Sequence, residues 1–354
     1  MNFIAEVHPK KKLLFIFIFL VILLNTKAGY VLELKTKKAI QNGLDYLINH
    51  QNTDLESDNF GSFGDYRGER KYRIATTSFA CLSLIANGST PYRGKYGKNL
   101  AYGLDFILKC VNKNGYITRK GDICRMHGHG FALLFLAQVY GTMPNTKESK
   151  QTRDKIKKAI KLVLESQTKE GGWGYLPNSL NHEGSITVCQ LQALRACRNV
   201  GFKISKKNID RALGYLRRSS NHDGSFKYRL GMSRSYPSYP LTAAGVSSLN
   251  ATGEYDSPEI RKGLKFMVET LSNKTNKNEY YRAFYYYGQF YAAQSLYHAP
   301  VEYWNKWYPV ICNELLNKQV QKGVWRSKFG SVYATAISTL ILQVPFNYLP
   351  IFQK

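Results

Sequence analysis

Gln167-Thr-Lys-Glu-Gly-Gly-Trp-Gly-Tyr175 is a glycine-rich turn closed by aromatics, and the residues on either side of it decide the fold. Ahead of it, Ile156, Ala159, Ile160, Val163 and Leu164 form one apolar stripe on a 3.6-residue period, the mark of a helix burying a single face. Behind it, Ser185 to Asn199 reads as a second helix rich in small residues, which Gly201 can end as a C-cap. The unit is helix, Gly-aromatic turn, helix.

Weaker copies of this unit fill the chain. Lys37 to Ile48, the turn Asn59 to Gly64 and a helix from Ile74 to Asn87 make the first. The second has Leu100 to Val111, Asn114-Gly-Tyr116 and a helix from about Met126 to Tyr140; the fourth has Ile209 to Leu216, Asn221 to Phe226 and a helix from about Leu241 to Ala251. In the fifth, Pro258 opens the first helix, the turn at Glu279-Tyr280 has lost its glycine, and Phe284 to His298 follows; the sixth has Tyr308 to Leu316, Gln321 to Trp325 and Val332 to about Gln343. From Phe63 through Tyr116, Trp173, Phe226 and Tyr280 to Trp325 the steps are 53, 57, 53, 54 and 45 residues. In each hairpin the first helix has one apolar stripe and a lysine-rich back, while the second is apolar or small nearly all round. The first set should face water and wrap the second, which predicts an all-α (α/α)6 toroid of six hairpins with an outer and an inner helix layer around a central cavity.

The chain opens with Lys10 to Lys12, an apolar run from Leu13 to Leu24, and Thr26 and Ala28 at the positions of a small-residue cleavage site. The run is too short for a membrane-spanning helix, which needs roughly 20 residues. Residues 1–28 therefore read as a signal peptide directing export, and residues 29–354 as one toroid domain. The net charge of +26 is dispersed rather than gathered in a stripe, and no helix-turn-helix, zinc-finger or RNA-sheet motif accompanies it, which argues against nucleic acid. An anionic envelope surface remains a fitting partner. Cys189 and Cys197 lie on one helix about 12 Å apart at 1.5 Å per residue, too far to bridge, so the six cysteines are expected as free, buried thiols.

Gln167 with Gly172 and Trp173, and Gln319 with Gly323 and Trp325, resemble the turn motif of the terpenoid cyclase/protein prenyltransferase toroid superfamily. Met126-His-Gly-His-Gly-Phe-Ala132, Ile186 to Ala196, Tyr285 to Gln294 and Asn347 to Gln353 more closely resemble exported bacterial prenyltransferase/squalene oxidase repeat proteins. The resemblance implies the closed toroid and an apolar, isoprenoid- or lipid-like ligand. Departures limit what else it implies: the inner helices begin Ile74-Ala-Thr-Thr, Ile186-Thr-Val-Cys and Leu241-Thr-Ala-Ala, without the Asp-rich acid motif of the cyclases, and the Gly-Cys-Gly-Glu-Gln run of the thioester branch is absent. Protein prenyltransferases of the superfamily hold zinc with Asp-x-Cys and a later His; Asp122, Cys124 and His182 stand in about those places, and the alternative is an N-capping Asp122 beside a packed Cys124.

Other candidates follow from position. His127 and His129 are two residues apart, about 200° around a helix, so one should face the cavity and the other the wall. Each is a candidate for acid-base or ligand contact, as is His182 at the start of an inner helix, whereas His222 is expected on the opposite rim. Tyr239, Tyr286, Tyr287, Tyr291 and Gln289 are expected to line the cavity, with Tyr236 preceding the neighbouring helix; the alternative is aromatic filling of a helical core. Besides the apolar-ligand reading, a polysaccharide lyase-like enzyme acting on acidic glycans and a non-catalytic envelope-binding scaffold fit the same sequence.

Overall fold

The computed structural model describes residues 32–64, 69–232, 237–272 and 279–346. Residues 1–28, expected as a signal peptide, Tyr236 and the ending Asn347 to Gln353 lie outside them. The outer layer comprises α1 (32–49), α3 (Gly97–Lys109), α5 (Lys147–Glu165), α7 (Lys206–Ser219), α9 (Pro258–Ser272) and α12 (Val301–Lys318). The inner layer comprises α2 (Arg73–Ala86), α4 (Arg125–Tyr140), α6 (Gly184–Asn199), α8 (Tyr239–Thr252), α11 (Tyr285–His298) and α13 (Ser331–Gln343). Where the fifth hairpin has lost its turn glycine, the chain forms a short helix instead, α10 (Glu279–Ala283).

Each inner helix packs on the next, from α2 through α4, α6, α8 and α11 to α13, and α13 packs back on α2, so the ring closes. Buried hydroxyls and amides seal the joint: Ser83 and Thr339 share a 2.6 Å hydrogen bond, and Gln343 Nε2 donates to the Ser83 carbonyl at 3.2 Å. Every residue of α2 is buried, whereas α5 buries Ile156, Ala159, Ile160 and Val163 and turns its lysines to water, except the half-buried Lys155, which donates to the Leu108 carbonyl. That contrast is the single-stripe versus all-round pattern of the sequence expressed as burial.

The turns join repeat to repeat. Gly61, Gly115, Gly171, Gly224 and Gly323 all have φ between +78° and +97°. A Cβ at each would stand 2.1 to 2.4 Å from a backbone carbonyl oxygen of the following outer helix, at Tyr102, Lys158, Arg211, Lys262 and Asn42 respectively. The last of these belongs to α1, so the sixth turn meets the first repeat. Glutamines reinforce the joints: Gln51 Nε2 donates to the Asn99 carbonyl, Gln167 Nε2 to that of Asn208 and Gln319 Nε2 to that of Ala39, each at 2.9 Å. Inside four of the turns the buried aromatic is tied to its own inner helix. The backbone N–H groups of Phe63, Trp173, Phe226 and Trp325 donate to the hydroxyls of Thr77, Thr187, Thr242 and Thr335 at 2.9 to 3.3 Å.

The axis is filled. Phe79 of α2 meets Phe131 of α4 at 4.4 Å, Phe290 of α11 at 5.1 Å and Tyr333 of α13 at 5.8 Å between ring centroids. Tyr291 extends the stack from Phe290 at 5.0 Å. Offset and edge-on rings at such spacings add attraction beyond their burial. The open central cavity expected from the sequence is thus replaced by an aromatic core.

Candidate functional site

Because every turn leads from an outer helix to an inner one, all six inner-helix N-termini open on one rim, and His222, in the α7–α8 turn, is on that rim rather than the opposite one. Two features occupy it. The first is a cleft of about 190 Å³ between the start of α11 and the loop before α13, lined by Arg282, Phe284, Tyr286, Arg326, Lys328 and Phe329 among others. Its floor is a column of rings: Phe284 stacks on Phe329 at 6.1 Å, Phe329 meets Tyr333 at 5.8 Å, and Tyr333 reaches Phe79 on the axis. Phe284 is 38% exposed, so the column begins in solvent and ends in the core. Lys328 places its ammonium 4.6 Å from the Phe284 centroid and 5.1 Å from that of Phe329. Tyr286 and Tyr287 line the same cleft, their hydroxyls donating to the Arg326 and Ser185 carbonyls at 3.2 Å.

The second feature is a hydrogen-bonded chain around Glu183, whose side chain is nearly fully buried at the start of α6. Its carboxylate accepts from the Tyr228 hydroxyl and, at 3.0 Å, from Arg229 Nη2, which balances the buried charge. The Tyr175 and Tyr228 hydroxyls lie 3.3 Å apart and carry the chain to the surface. Burial and the Glu183 bond push the Tyr228 phenol well up. Alongside, the exposed Arg125 has φ +54°, the one non-glycine residue with positive φ among the described residues. Such strain concentrates at functional sites.

The predicted residues fall in different places. His127 is half-buried, edge-on to Tyr175 at 5.6 Å and stacked toward Phe131 at 6.4 Å, on the axis side, and burial pushes its pKa down to about 4. His129 is completely buried in the wall, where its Nδ1 accepts the Ile117 N–H at 3.1 Å. That is the bond made by threonine in four other repeats, so His129 is the second repeat's version of a structural contact, with Ile117 rather than Tyr116 in the buried turn position. His182 turns outward, its Nδ1 3.2 Å from the Tyr215 hydroxyl of α7. Tyr239 and Gln289 do not face the axis: the Tyr239 hydroxyl donates to Gln289 Oε1 at 3.0 Å and accepts from Trp307 of α12 at 3.0 Å, a network between the two layers. Tyr291 is wholly buried, with its hydroxyl 3.4 Å from Cys189 Sγ.

The zinc set does not fit. One Asp122 oxygen accepts the Ile74 N–H at 3.0 Å, capping the neighbouring inner helix, and the other accepts the Cys124 N–H at 2.8 Å. His182 points to α7, and among the described residues no three His, Cys, Asp or Glu side chains converge to hold a metal. All six cysteines are free, and all but the half-buried Cys124 are buried. Sequence reading passed over Glu183, Phe284 and the Arg326-Ser-Lys-Phe329 stretch; a basic-aromatic run directly before an inner helix was the available signal for the last.

A closed double ring of helical hairpins with an accessible rim at the inner-helix N-termini defines the class: an α/α toroid. The family profile of the prenyltransferase alpha-alpha toroid domain matches residues 14–231, and the chain belongs to that family. No curated protein matches the chain in sequence. Among solved structures it is similar to a type II terpene cyclase from Scytonema in complex with geranylgeranyl dihydroxybenzoate, with TM-score 0.60, 14% identity, and 90% of this chain and 99% of that one covered. It is also similar to a reducing-end-xylose releasing exo-oligoxylanase complexed with xylobiose, with TM-score 0.57, 9% identity and coverage of 89% and 93%. A cellobiose 2-epimerase from Bacillus thermoamylovorans follows, with TM-score 0.55, 12% identity and coverage of 86% and 97%. At these identities the likeness is one of fold.

Proposed function

We propose that the protein binds an amphiphile, taking an isoprenoid- or lipid-like tail against the rim aromatics and its anionic head between Arg282, Arg326 and Lys328. The observation that carries this reading is the ring column from exposed Phe284 through Phe329 and Tyr333 to Phe79, with a cation poised over its outer end. Pockets that enclose a drug-sized ligand hold roughly 300–1,000 Å³. A cleft of about 190 Å³ therefore admits the end of a tail, with the rest of the ligand outside or Phe329 and Tyr333 displaced. The Scytonema cyclase, whose ligand carries a geranylgeranyl group, lends support at the level of fold. No cyclase acid is implied, since Asp122 is occupied by two backbone N–H groups.

Titration of farnesyl monophosphate by calorimetry tests the reading. Phe329→Ala removes most of a ring's apolar contact and should weaken binding about tenfold or more, and Lys328→Glu should weaken it further at low salt. Binding that neither change affects would place the ligand elsewhere.

A second reading, acid-base chemistry on an acidic glycan, draws on the Glu183–Tyr228–Tyr175 chain flanked by Arg229 and Arg125. A lyase needs a base that accepts a carbon-bound proton, whereas the upward shift keeps the Tyr228 phenol protonated and so unable to take one. Growth of ultraviolet absorbance on a uronate polymer, lost in Tyr175→Phe, would favour this reading over the first.

A further inference from the structure

The rim that carries the inner-helix N-termini also carries most of the exposed apolar side chains. Between the turn aromatics and the inner helices stand Ile123, Tyr175, Leu176, Leu180, Met232 and Phe284, all at least 36% exposed and Leu180 93%. Among the described residues the opposite rim exposes only Tyr92 and Val301 of this kind. Backbone hydrogen bonds stitch the segments into one collar. The Ile123 N–H donates to the Lys71 carbonyl at 2.8 Å, that of Met126 to Tyr175 at 3.1 Å and that of Gly184 to Tyr228 at 2.9 Å. Cations accompany the apolar groups: Lys71, Lys120, Arg125, Arg282, Arg326 and Lys328 are exposed in or next to the same segments. The exposed acids Asp54, Glu56, Glu170, Asp223 and Glu279 come before the turn aromatics, on the outer-helix side.

The arrangement narrows the partner. A protein-binding patch gathers its apolar groups into a core poor in lysine. Here they are spread over four hairpins with lysine and arginine among them, which suits the boundary between lipid headgroups and acyl chains. No helix among the described residues is long and apolar enough to cross a membrane. The apolar side chains stand on turns, so this face can lie on a bilayer without spanning it. We propose that the collar docks on an anionic lipid bilayer, with Ile123, Leu176, Leu180 and Met232 inserted at headgroup level and the cations against lipid phosphates. The docking stands without the amphiphile reading, but it sets the cleft, which shares Phe284 with the collar, against the layer where amphiphiles reside.

Sedimentation with lipid vesicles tests the proposal. Wild-type protein should bind phosphatidylglycerol vesicles more tightly than phosphatidylcholine ones, and added salt should narrow the gap. A net charge of +26 draws the chain to anionic vesicles by any face, so the leucines decide. Leu176→Ser with Leu180→Ser should weaken binding about tenfold or more, the effect of withdrawing two leucines from the lipid. Lys71→Glu with Lys120→Glu should weaken it about tenfold at low salt. Val301→Ser, on the opposite rim, should change nothing. All are surface changes, and circular dichroism checks that each variant folds. Wild-type protein that ignores both vesicles, binding that survives the leucine pair undiminished, or an equal loss in Val301→Ser would overturn the proposal. A protein partner held through Leu176 and Leu180 while vesicles are ignored would overturn it in favour of a protein interface. Calorimetry with farnesyl monophosphate in solution should be unchanged in the leucine pair, so docking can fail while cleft binding persists, and the reverse.

Discussion

Replacing Gly171 by alanine should separate the two demands placed on the turn glycines. Gly171 has φ +97°, and a Cβ there would stand 2.2 Å from the Arg211 carbonyl oxygen of α7. The left-handed backbone alone costs an alanine about 1–2 kcal/mol. Relieving the contact requires α7 to shift, and forced repacking of this kind costs about 1–3 kcal/mol. Gly201→Ala is the matched control: φ is +88°, but nothing lies within 4 Å of the added carbon, so only the backbone cost applies. Both changes reduce the freedom of the unfolded chain equally, so that contribution cancels. Urea denaturation followed by circular dichroism should therefore show Gly171→Ala less stable than Gly201→Ala by about 1–3 kcal/mol. Equal losses would mean that the turn does not press on the next repeat and would refute the account of how the ring is assembled.

The same contact closes the ring, so Gly323→Ala, with its Cβ 2.4 Å from the Asn42 carbonyl, should match Gly171→Ala and increase proteolysis of α1. For His129, burial pushes the pKa down to about 4 from an ordinary 6.5. As pH falls the unfolded chain takes up the proton first, so stability is full above pH 6.5, declines between 6.5 and 4, and has lost about 3 kcal/mol below that. His127 behaves alike. His129→Thr, which installs the residue used by four other repeats, should remove about half of this acid sensitivity in denaturation midpoints at pH 7 and 4.5. Asp122→Asn weakens the cap on α2 and should cost about 1 kcal/mol in denaturation, with no dependence on added zinc. Phe329→Ala, at the half-buried rim, should leave the melting temperature within a few degrees while reducing amphiphile binding.

The hairpins were legible because burial is written as periodicity: Ile156 to Leu164 keeps one stripe, and α2 and α13 are apolar or small all round. Ring closure was legible from the contrast of single-stripe and all-round apolar helices and from the family resemblance, but the contact that makes it, Gly323 meeting Asn42 281 positions away, is one that no local pattern encodes. The site was harder. His129 looked chemical because histidine is rare, but its neighbours in space show it doing the work of Thr187. Tyr239 and Tyr291 are both tyrosines on inner helices, yet one is drawn outward by Trp307 and Gln289 while the other fills the core, and helical spacing cannot tell which rings meet across an axis. The filled axis has the same origin: Phe79, Phe131, Phe290 and Tyr333 come from four hairpins, and whether they enclose space or consume it depends on the ring's diameter. Asp122 shows the converse, a residue whose N-capping alternative was visible in the sequence and is what the hydrogen bonds display, although the helix it caps is the previous inner one.

The central claim is that the aromatic rim holds an amphiphile. Native mass spectrometry of protein isolated without detergent tests it most directly. A bound molecule with a long apolar chain and an anionic group, released on denaturation and missing from Phe329→Ala, is the predicted result; wild-type protein that carries nothing, or that carries a neutral glycan retained by Phe329→Ala, would contradict it.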